Sequence, residues 1–178
     1  MPVGPVALDP LRFRGGLRLL DGGVLTIDDA GLGDPADPEL LGFLRAHLDD
    51  LAPTAPPESR HALDVEGLRQ PGIRMWVARD EGRLVGTVAL APLEPGHEEL
   101  KSMRTSPESR GRGVGGSLLR HALADARARG VTRVSLETGS MEFFAPARSL
   151  YRGAGFVECP PFGSYVEDPN STFLTLLL

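Results

Sequence analysis

The chain has 178 residues, 41% of them hydrophobic, and a formal net charge of −5 at pH 7. That is enough apolar material for one domain with its own core, and the acidic balance argues against a nucleic-acid partner. One cysteine, Cys159, permits no intrachain disulfide, fits a reducing cytoplasm, and beside Pro160 reads as a small buried hydrophobe. No apolar run reaches the roughly 18 residues of a membrane span, and no long apolar segment marks a signal peptide. The histidines at 47, 61, 97 and 121 lack paired ligand spacing, so no metal is expected.

Met1 to Gly23, with its prolines and glycine pairs, reads as an N-terminal extension, and residues 24–178 as the domain. Val24 to Asp28 can form a first strand. Asp37-Pro38-Glu39 is a helix start, with a cap, a proline at the first helical position and an acid in the first turn. Leu40, Leu41, Leu44, Leu48 and Leu51 line one face of that helix, and Asp49 and Asp50 read as its solvated side. A proline-rich loop follows, then a short helix around Asp64 to Gln70 that Pro71 stops. Ile73 to Arg79, the turn Asp80-Glu81-Gly82 and Leu84 to Ala91 make a hairpin. Gly86 within its second strand predicts a bulge or a close backbone approach.

Glu98 to Thr105 is the next strand, and it is unusually polar for a central position. Strict alternation puts Glu99, Lys101, Met103 and Thr105 on one face. Either this is an edge strand with solvated charges, or one face lines a polar cleft. Pro107 stops the strand. The loop Arg110-Gly111-Arg112-Gly113-Val114-Gly115-Gly116 leads into a helix with an apolar stripe at Val114, Leu118, Leu119, Ala122, Leu123 and Ala126, closed by Gly130. Glycines without Cβ atoms let a ligand approach the backbone. Exposed N–H groups at the positive helix end then make an anion site, to which Arg110 and Arg112 add charge. A pyrophosphate suits it.

Val131 to Thr138 completes a β-α-β crossover, so this strand and 98–105 are parallel neighbours. After a loop from Gly139 to Phe144, Pro146 opens a helix ending near Ala154. Phe156 to Glu158 is a short strand, Cys159 to Asn170 a proline- and glycine-rich loop, and Ser171 to Leu178 a last apolar strand. No internal repeat or low-complexity segment interrupts this order.

Three phosphate motifs overlap in the glycine loop. Gly111-x-Gly113-x-x-Gly116, with Glu137 about 20 residues on, matches the dinucleotide fingerprint, but Ser106 to Arg110 intervene between strand and first glycine, and the other strands are not separated by helices. Gly111-x4-Gly116-Ser117 lacks the P-loop lysine. The third match, Arg110-x-x-Gly113-x-Gly115 between a strand and a helix, resembles the coenzyme A-binding motif of the GNAT superfamily of N-acetyltransferases. A second motif, Ala147-x-x-Leu150-Tyr151-x-x-x-Gly155-Phe156, resembles that family's helix-tyrosine and Gly-Phe strand. PPESRHAL, ELKSMRTS, LETGSM, PARSLY and EDPNS are similar to a YsnE-like bacterial subgroup. The likeness runs from Val24 to the C-terminus in element order.

The resemblance implies a mixed α/β fold. Its central, mostly antiparallel sheet has six to seven strands with one splayed parallel pair, flanked by about four helices. It implies acetyl-CoA as co-substrate, lying between strands 98–105 and 131–138. Main-chain groups of Met103 and Thr105 would pair with pantetheine, with Arg104 between them in the same cofactor-binding set, and loop N–H groups from Gly111 to Gly116, spanning Arg112, Gly113, Val114 and Gly115, would hold the pyrophosphate beside Arg110. The Met103 N–H would face the thioester oxygen. Phe144 stands where many relatives carry an asparagine, which removes a side-chain hydrogen bond to pantetheine.

Acetyl transfer to an amine needs a base, because an alkyl ammonium has a pKa of about 10. Glu99 aligns with the family's base, the alternative being a salt bridge with Lys101 or an arginine; Glu137 is the second candidate. Tyr151 matches the general acid that protonates the leaving thiolate, the alternative being a core tyrosine. Pro56 to His61, Glu137 to Met141, including Ser140, and Pro161 to Tyr165 could surround the acceptor or be ordinary turns. Glu137 suits a cationic amine; Arg74 or Arg104 suits a substrate carboxylate. The implied function is transfer of an acetyl group to a primary amine of a small molecule or peptide, in a ternary complex, by a cytoplasmic enzyme that could form a homodimer. A non-catalytic acyl-CoA-binding domain is the competing class, and a dinucleotide enzyme a third.

Overall fold

The computed structural model describes residues 17–30, 37–53 and 65–178. In chain order the elements are β1 (Leu17–Arg18), β2 (Val24–Asp29), α1 (Pro38–Leu51), α2 (Val65–Leu68), β3 (Arg74–Asp80), β4 (Arg83–Glu94), β5 (His97–Thr105), α3 (Val114–Ala128), β6 (Arg133–Gly139), α4 (Ala145–Gly153), β7 (Val157–Glu158) and β8 (Ser171–Leu177). The loop Pro56 to His61 and the extension up to residue 16 lie outside the described residues.

One eight-stranded sheet has the order β1-β2-β3-β4-β5-β6-β8-β7. Every neighbouring pair is antiparallel except β5 with β6. The mixed, mostly antiparallel sheet with one parallel pair is therefore as expected, and the strand added at one edge, β1, comes from the segment read as extension. Leu19, between β1 and β2, is buried in the core.

Local signals build the elements as anticipated. Asp37 caps α1, accepting hydrogen bonds from the N–H groups of Glu39 (3.0 Å) and Leu40 (3.2 Å). Leu40 and Leu44 turn inward and, with Leu68 of α2, pack on Met75, Val77, Leu84 and Ala89 of the sheet. On the opposite face, Val114, Leu118, Leu119, Ala122 and Ala126 of α3 join Tyr151 of α4 against Val88, Leu90, Leu100, Val134 and Leu136. Gly86 shows both expected features. The register between β3 and β4 shifts beside it, and an added Cβ would stand 2.7 Å from Leu118 Cδ1 and 3.0 Å from the Arg104 carbonyl oxygen. It lets α3 lie close on the sheet.

The parallel pairing of β5 and β6 covers only His97↔Arg133, Glu98↔Val134 and Glu99↔Ser135. Beyond Glu99, β5 keeps pairing with β4 while β6 follows β8. The sheet is therefore open between the C-terminal halves of its two central strands.

The alternation expected along β5 does not hold. Ser102 has φ 51°, and the register with β4 passes from Ala89↔Lys101 to Thr87↔Arg104. Two residues, Ser102 and Met103, stand opposite Val88, which is a β-bulge. The extra residue reverses the faces beyond it. Glu99, Lys101 and Arg104 share the α1 side, whereas Met103 packs with the α3 and α4 core.

Candidate functional site

A cleft of about 440 Å³ opens where β5 and β6 part. Met103, Arg104 and Thr105 of β5 form one wall, and the glycine loop with the start of α3 forms the end. Phe143, Phe144, Pro146, Ala147, Leu150 and Tyr151 close the α4 side, and His47, Asp50 and Leu51 of α1 the other. The expected cofactor residues Met103, Arg104, Thr105, Arg110, Gly111, Gly113, Val114, Gly115, Gly116, Phe144 and Tyr151 thus meet in one place.

Gly111 and Gly113 have φ of 74° and 91°, backbone that only glycine takes without strain. A Cβ on Gly111 would meet nothing within 4 Å, so the space over that residue is open. Helix α3 begins at Val114 with no side-chain cap, and its first intrahelical bond runs from the Ser117 N–H to the Gly113 carbonyl. Its first-turn N–H groups and Arg110 face the cleft's end, which fits a pyrophosphate.

The Arg112 side chain is engaged elsewhere. Its guanidinium pairs with Asp21 and, at 2.8 Å, with Asp80 of β3, while its carbonyl accepts the Leu20 N–H at 3.2 Å. Both carboxylates hold its charge, pushing its pKa further up. Two acids outside the motif have captured an arginine that the local pattern assigns to the anion. Arg74 is likewise elsewhere. It binds Asp125 of α3 through Nε (2.9 Å) and Nη2 (2.8 Å), lies over Trp76 and does not line the cleft.

Tyr151 is buried at 5% exposure, its ring near Phe156. Burial, and secondarily the Glu137 carboxylate, hold its hydroxyl above the ordinary phenol range, so it stays protonated at neutral pH. Glu137 of β6 is thus near enough to α4 for its charge to act on this hydroxyl. Phe144 replaces a polar wall with an aromatic one, and Phe143 meets it edge-on at 4.9 Å. Arg148 Nη1 binds the carbonyls of Gly139 (2.6 Å) and Met141 (2.8 Å), fixing the loop beneath. Ser140 ties this loop to the one before β8, donating its hydroxyl to the Pro169 carbonyl at 2.6 Å.

Glu99, at the last paired position before the opening, is 7% exposed. Lys101 Nζ donates to its Oε1 at 2.8 Å, and the Tyr165 hydroxyl donates to the same oxygen at 2.5 Å. The salt bridge with Lys101 is therefore present.

Two contributors, His47 and Asp50, carry no site motif in the sequence, where Asp50 reads as part of a solvated face. In the structure Asp50 binds the buried Arg104 guanidinium at 2.9 Å, which also lies 4.9 Å over the Phe43 ring. Burial, reinforced by Arg104, pulls His47 down to about 4, so its ring is neutral at pH 7. The spacing of 43, 47 and 50 on one helix was the available signal. Tyr165 belongs to the Pro161 to Tyr165 loop, which the sequence offers to the acceptor without singling out a residue.

Among the described residues, no helix is long and apolar enough to cross a membrane, and no group of three or more His, Cys, Asp or Glu could hold a metal ion. The sequence profile of the acetyltransferase (GNAT) family matches residues 40–156. The N-acetyltransferase YsnE of Bacillus subtilis (strain 168) is 46% identical over 137 residues, covering 77% of this chain and 91% of the relative. The N-acetyltransferase YedL of Escherichia coli (strain K12) is 42% identical over 155 residues, covering 87% and 96%. A solved structure described as an acyl-CoA N-acyltransferase from Klebsiella pneumoniae superposes with a TM-score of 0.68 at 30% identity, covering 86% of this chain and 97% of that one.

Proposed function

The chain belongs to the GNAT acetyltransferase family, and we propose that it moves the acetyl group of acetyl-CoA directly to a primary amine of a small molecule or peptide, in a ternary complex and without a metal. The observation that carries this reading is the cleft in which the glycine loop, the free edge of β5 at Met103 and Tyr151 converge. We read residues 24–178 as the transferase domain, with the preceding residues as an extension whose last part, Leu17 to Gly23, adds an edge hairpin. The single Cys159 supports a cytoplasmic location.

Acetyl-CoA supplies the thioester carbonyl. The N–H groups of the loop and of the first turn of α3, with Arg110, would hold its pyrophosphate. The β5 edge beyond Glu99, released from β6, offers main-chain groups to the pantetheine. The Met103 N–H is the donor that would meet the developing oxyanion, a contribution of about 3–4 kcal/mol for a well-placed donor. Glu99 takes the proton of the ammonium, directly or through water, with Glu137 as the second candidate. Tyr151, protonated and buried, gives its proton to the leaving sulfur. Phe144 offers only apolar contact where an amide would hydrogen-bond.

Calorimetry with acetyl-CoA, followed by turnover against a panel of amino acids, polyamines and short peptides, tests the reading. Micromolar binding and CoA release that depends on the amine are expected. No affinity for acetyl-CoA sinks the proposal, and binding without turnover of any amine turns it into an acyl-CoA-binding module.

A further inference from the structure

Glu99 is a carboxylate with one oxygen held and one left over. Both of its side-chain hydrogen bonds, from Lys101 Nζ and from the Tyr165 hydroxyl, fall on Oε1. Lys101 Nζ also donates to the Tyr165 oxygen at 2.9 Å, closing a three-membered ring of contacts. Among the described residues no hydrogen bond reaches Oε2, and Oε2 is not among the buried atoms without a partner. An oxygen that is neither bonded nor shut in is open to an incoming group.

The clamp is built across the fold. Tyr165 lies 66 positions along the chain from Glu99, on the loop between β7 and β8. An aromatic cluster anchors that loop: Tyr165 meets Phe162 at 5.1 Å and Phe173 at 5.5 Å, and Phe162 meets His97 at 6.1 Å. Lys101 is 10% exposed and sits 5.6 Å from the Tyr165 ring centre. Neither partner is a mobile surface side chain, so the Glu99 carboxylate has little rotational freedom.

We infer that Tyr165 and Lys101 are positioning residues for the transfer reaction: they clamp Oε1 of Glu99 so that Oε2 faces the acceptor amine. The inference rests on the proposed function and names two residues it does not use. A base held in one orientation loses no time or entropy finding it at the moment of proton transfer. The other groups near this ring of contacts are Glu137 of β6, whose charge acts on Tyr165, and His97 two residues back. The His97 ring is engaged by Ser135 at 2.8 Å and Glu94 at 3.2 Å.

The test compares wild type, Tyr165→Phe, Lys101→Met and Lys101→Arg. Tyr165→Phe keeps the ring in its cluster and removes one oxygen. With acetyl-CoA and the amine chosen by the panel, kcat/KM for the amine should fall about tenfold in Tyr165→Phe and Lys101→Met, the loss of one charge-assisted hydrogen bond. The KM for acetyl-CoA should not change, and Lys101→Arg should recover most of the rate. In ¹⁵N-lysine-labelled free protein, a protected Lys101 ammonium signal should be visible in wild type and lost in Tyr165→Phe. A Tyr165→Phe variant with the wild-type kcat/KM for the amine overturns the inference alone. No protected ammonium signal in wild type overturns the clamp without any substrate. Failure of wild type to bind acetyl-CoA, or binding without turnover, removes the proposed function and this inference together.

Discussion

Phe144 and Gly139 share one space: a Cβ added to Gly139 would stand 2.1 Å from Cδ2 of the Phe144 ring. Gly139 ends β6, and Phe144 forms part of the cleft wall. The glycine is therefore needed for a steric reason, because the ring fills the space that the side chain of any other residue would take. Gly139→Ala should displace Phe144 and destabilise the protein by about 1–3 kcal/mol. In a Phe144→Ala background the same change should cost much less. Denaturant unfolding of the two single variants and the double variant measures this, and additive losses would contradict it.

Gly113→Asp should abolish acetyl-CoA binding. Its φ of 91° strains any side chain, and a Cβ there would stand 3.5 Å from Leu20 with a carboxylate beside the anion site. The comparison is calorimetry on a variant whose circular dichroism matches wild type. Retained affinity would place the pyrophosphate elsewhere.

Glu99→Gln should lower turnover about 10²-fold while leaving acetyl-CoA affinity nearly unchanged. The deficit should shrink at high pH, where free amine is abundant. Glu137→Gln, measured alongside, decides between the two carboxylates: if Glu99→Gln is fully active at pH 7 and Glu137→Gln is not, the base is on β6.

Tyr151→Phe should reduce turnover by roughly 10²-fold with acetyl-CoA binding intact and stability altered by about 1 kcal/mol or less. Because burial and Glu137 raise the phenol's pKa in the fold, the unfolded chain loses this proton first. That contribution to stability is complete below the unfolded value of about 10 and is lost as pH rises beyond it. Unfolding midpoints between pH 9 and 11 should therefore fall less steeply in Tyr151→Phe than in wild type. Full turnover from pH 6 to 9 would make Tyr151 a packing residue.

His47 sets the opposite limit. Its folded pKa of about 4 lies below the ordinary histidine value of 6.5, so the unfolded chain takes up a proton that the fold refuses. Stability is unaffected above pH 6.5 and falls as pH drops toward 4, by up to about 3 kcal/mol from this group. His47→Gln should flatten that part of the stability curve. Parallel curves for the two proteins would show that the ring is hydrated and charged in the fold.

What the sequence by itself determined is local. Asp37-Pro38-Glu39 starts α1 because cap, proline and first-turn acid act within one turn of chain. The glycines at 111 and 113 announce left-handed backbone because no other residue takes it cheaply. The β-α-β unit and the paired motifs from Glu99 to Phe156 carry the family and the fold. Tertiary structure alone decided which charges meet. Arg110 and Arg112 both lie in the glycine loop, yet Asp21 and Asp80 take one and leave the other on the cleft. Arg74 goes to Asp125 and Arg104 to Asp50, choices among many acids that no spacing encodes. The bulge at Ser102 overrides the period of two and turns Arg104 away from Met103. Tyr165 reaches Glu99 only because β8 brings its loop back over β6. Backbone propensity and short-range capping act along the chain and can be read there. Ion pairing and side-chain facing depend on distances between segments, which exist only once the sheet has closed around its opening.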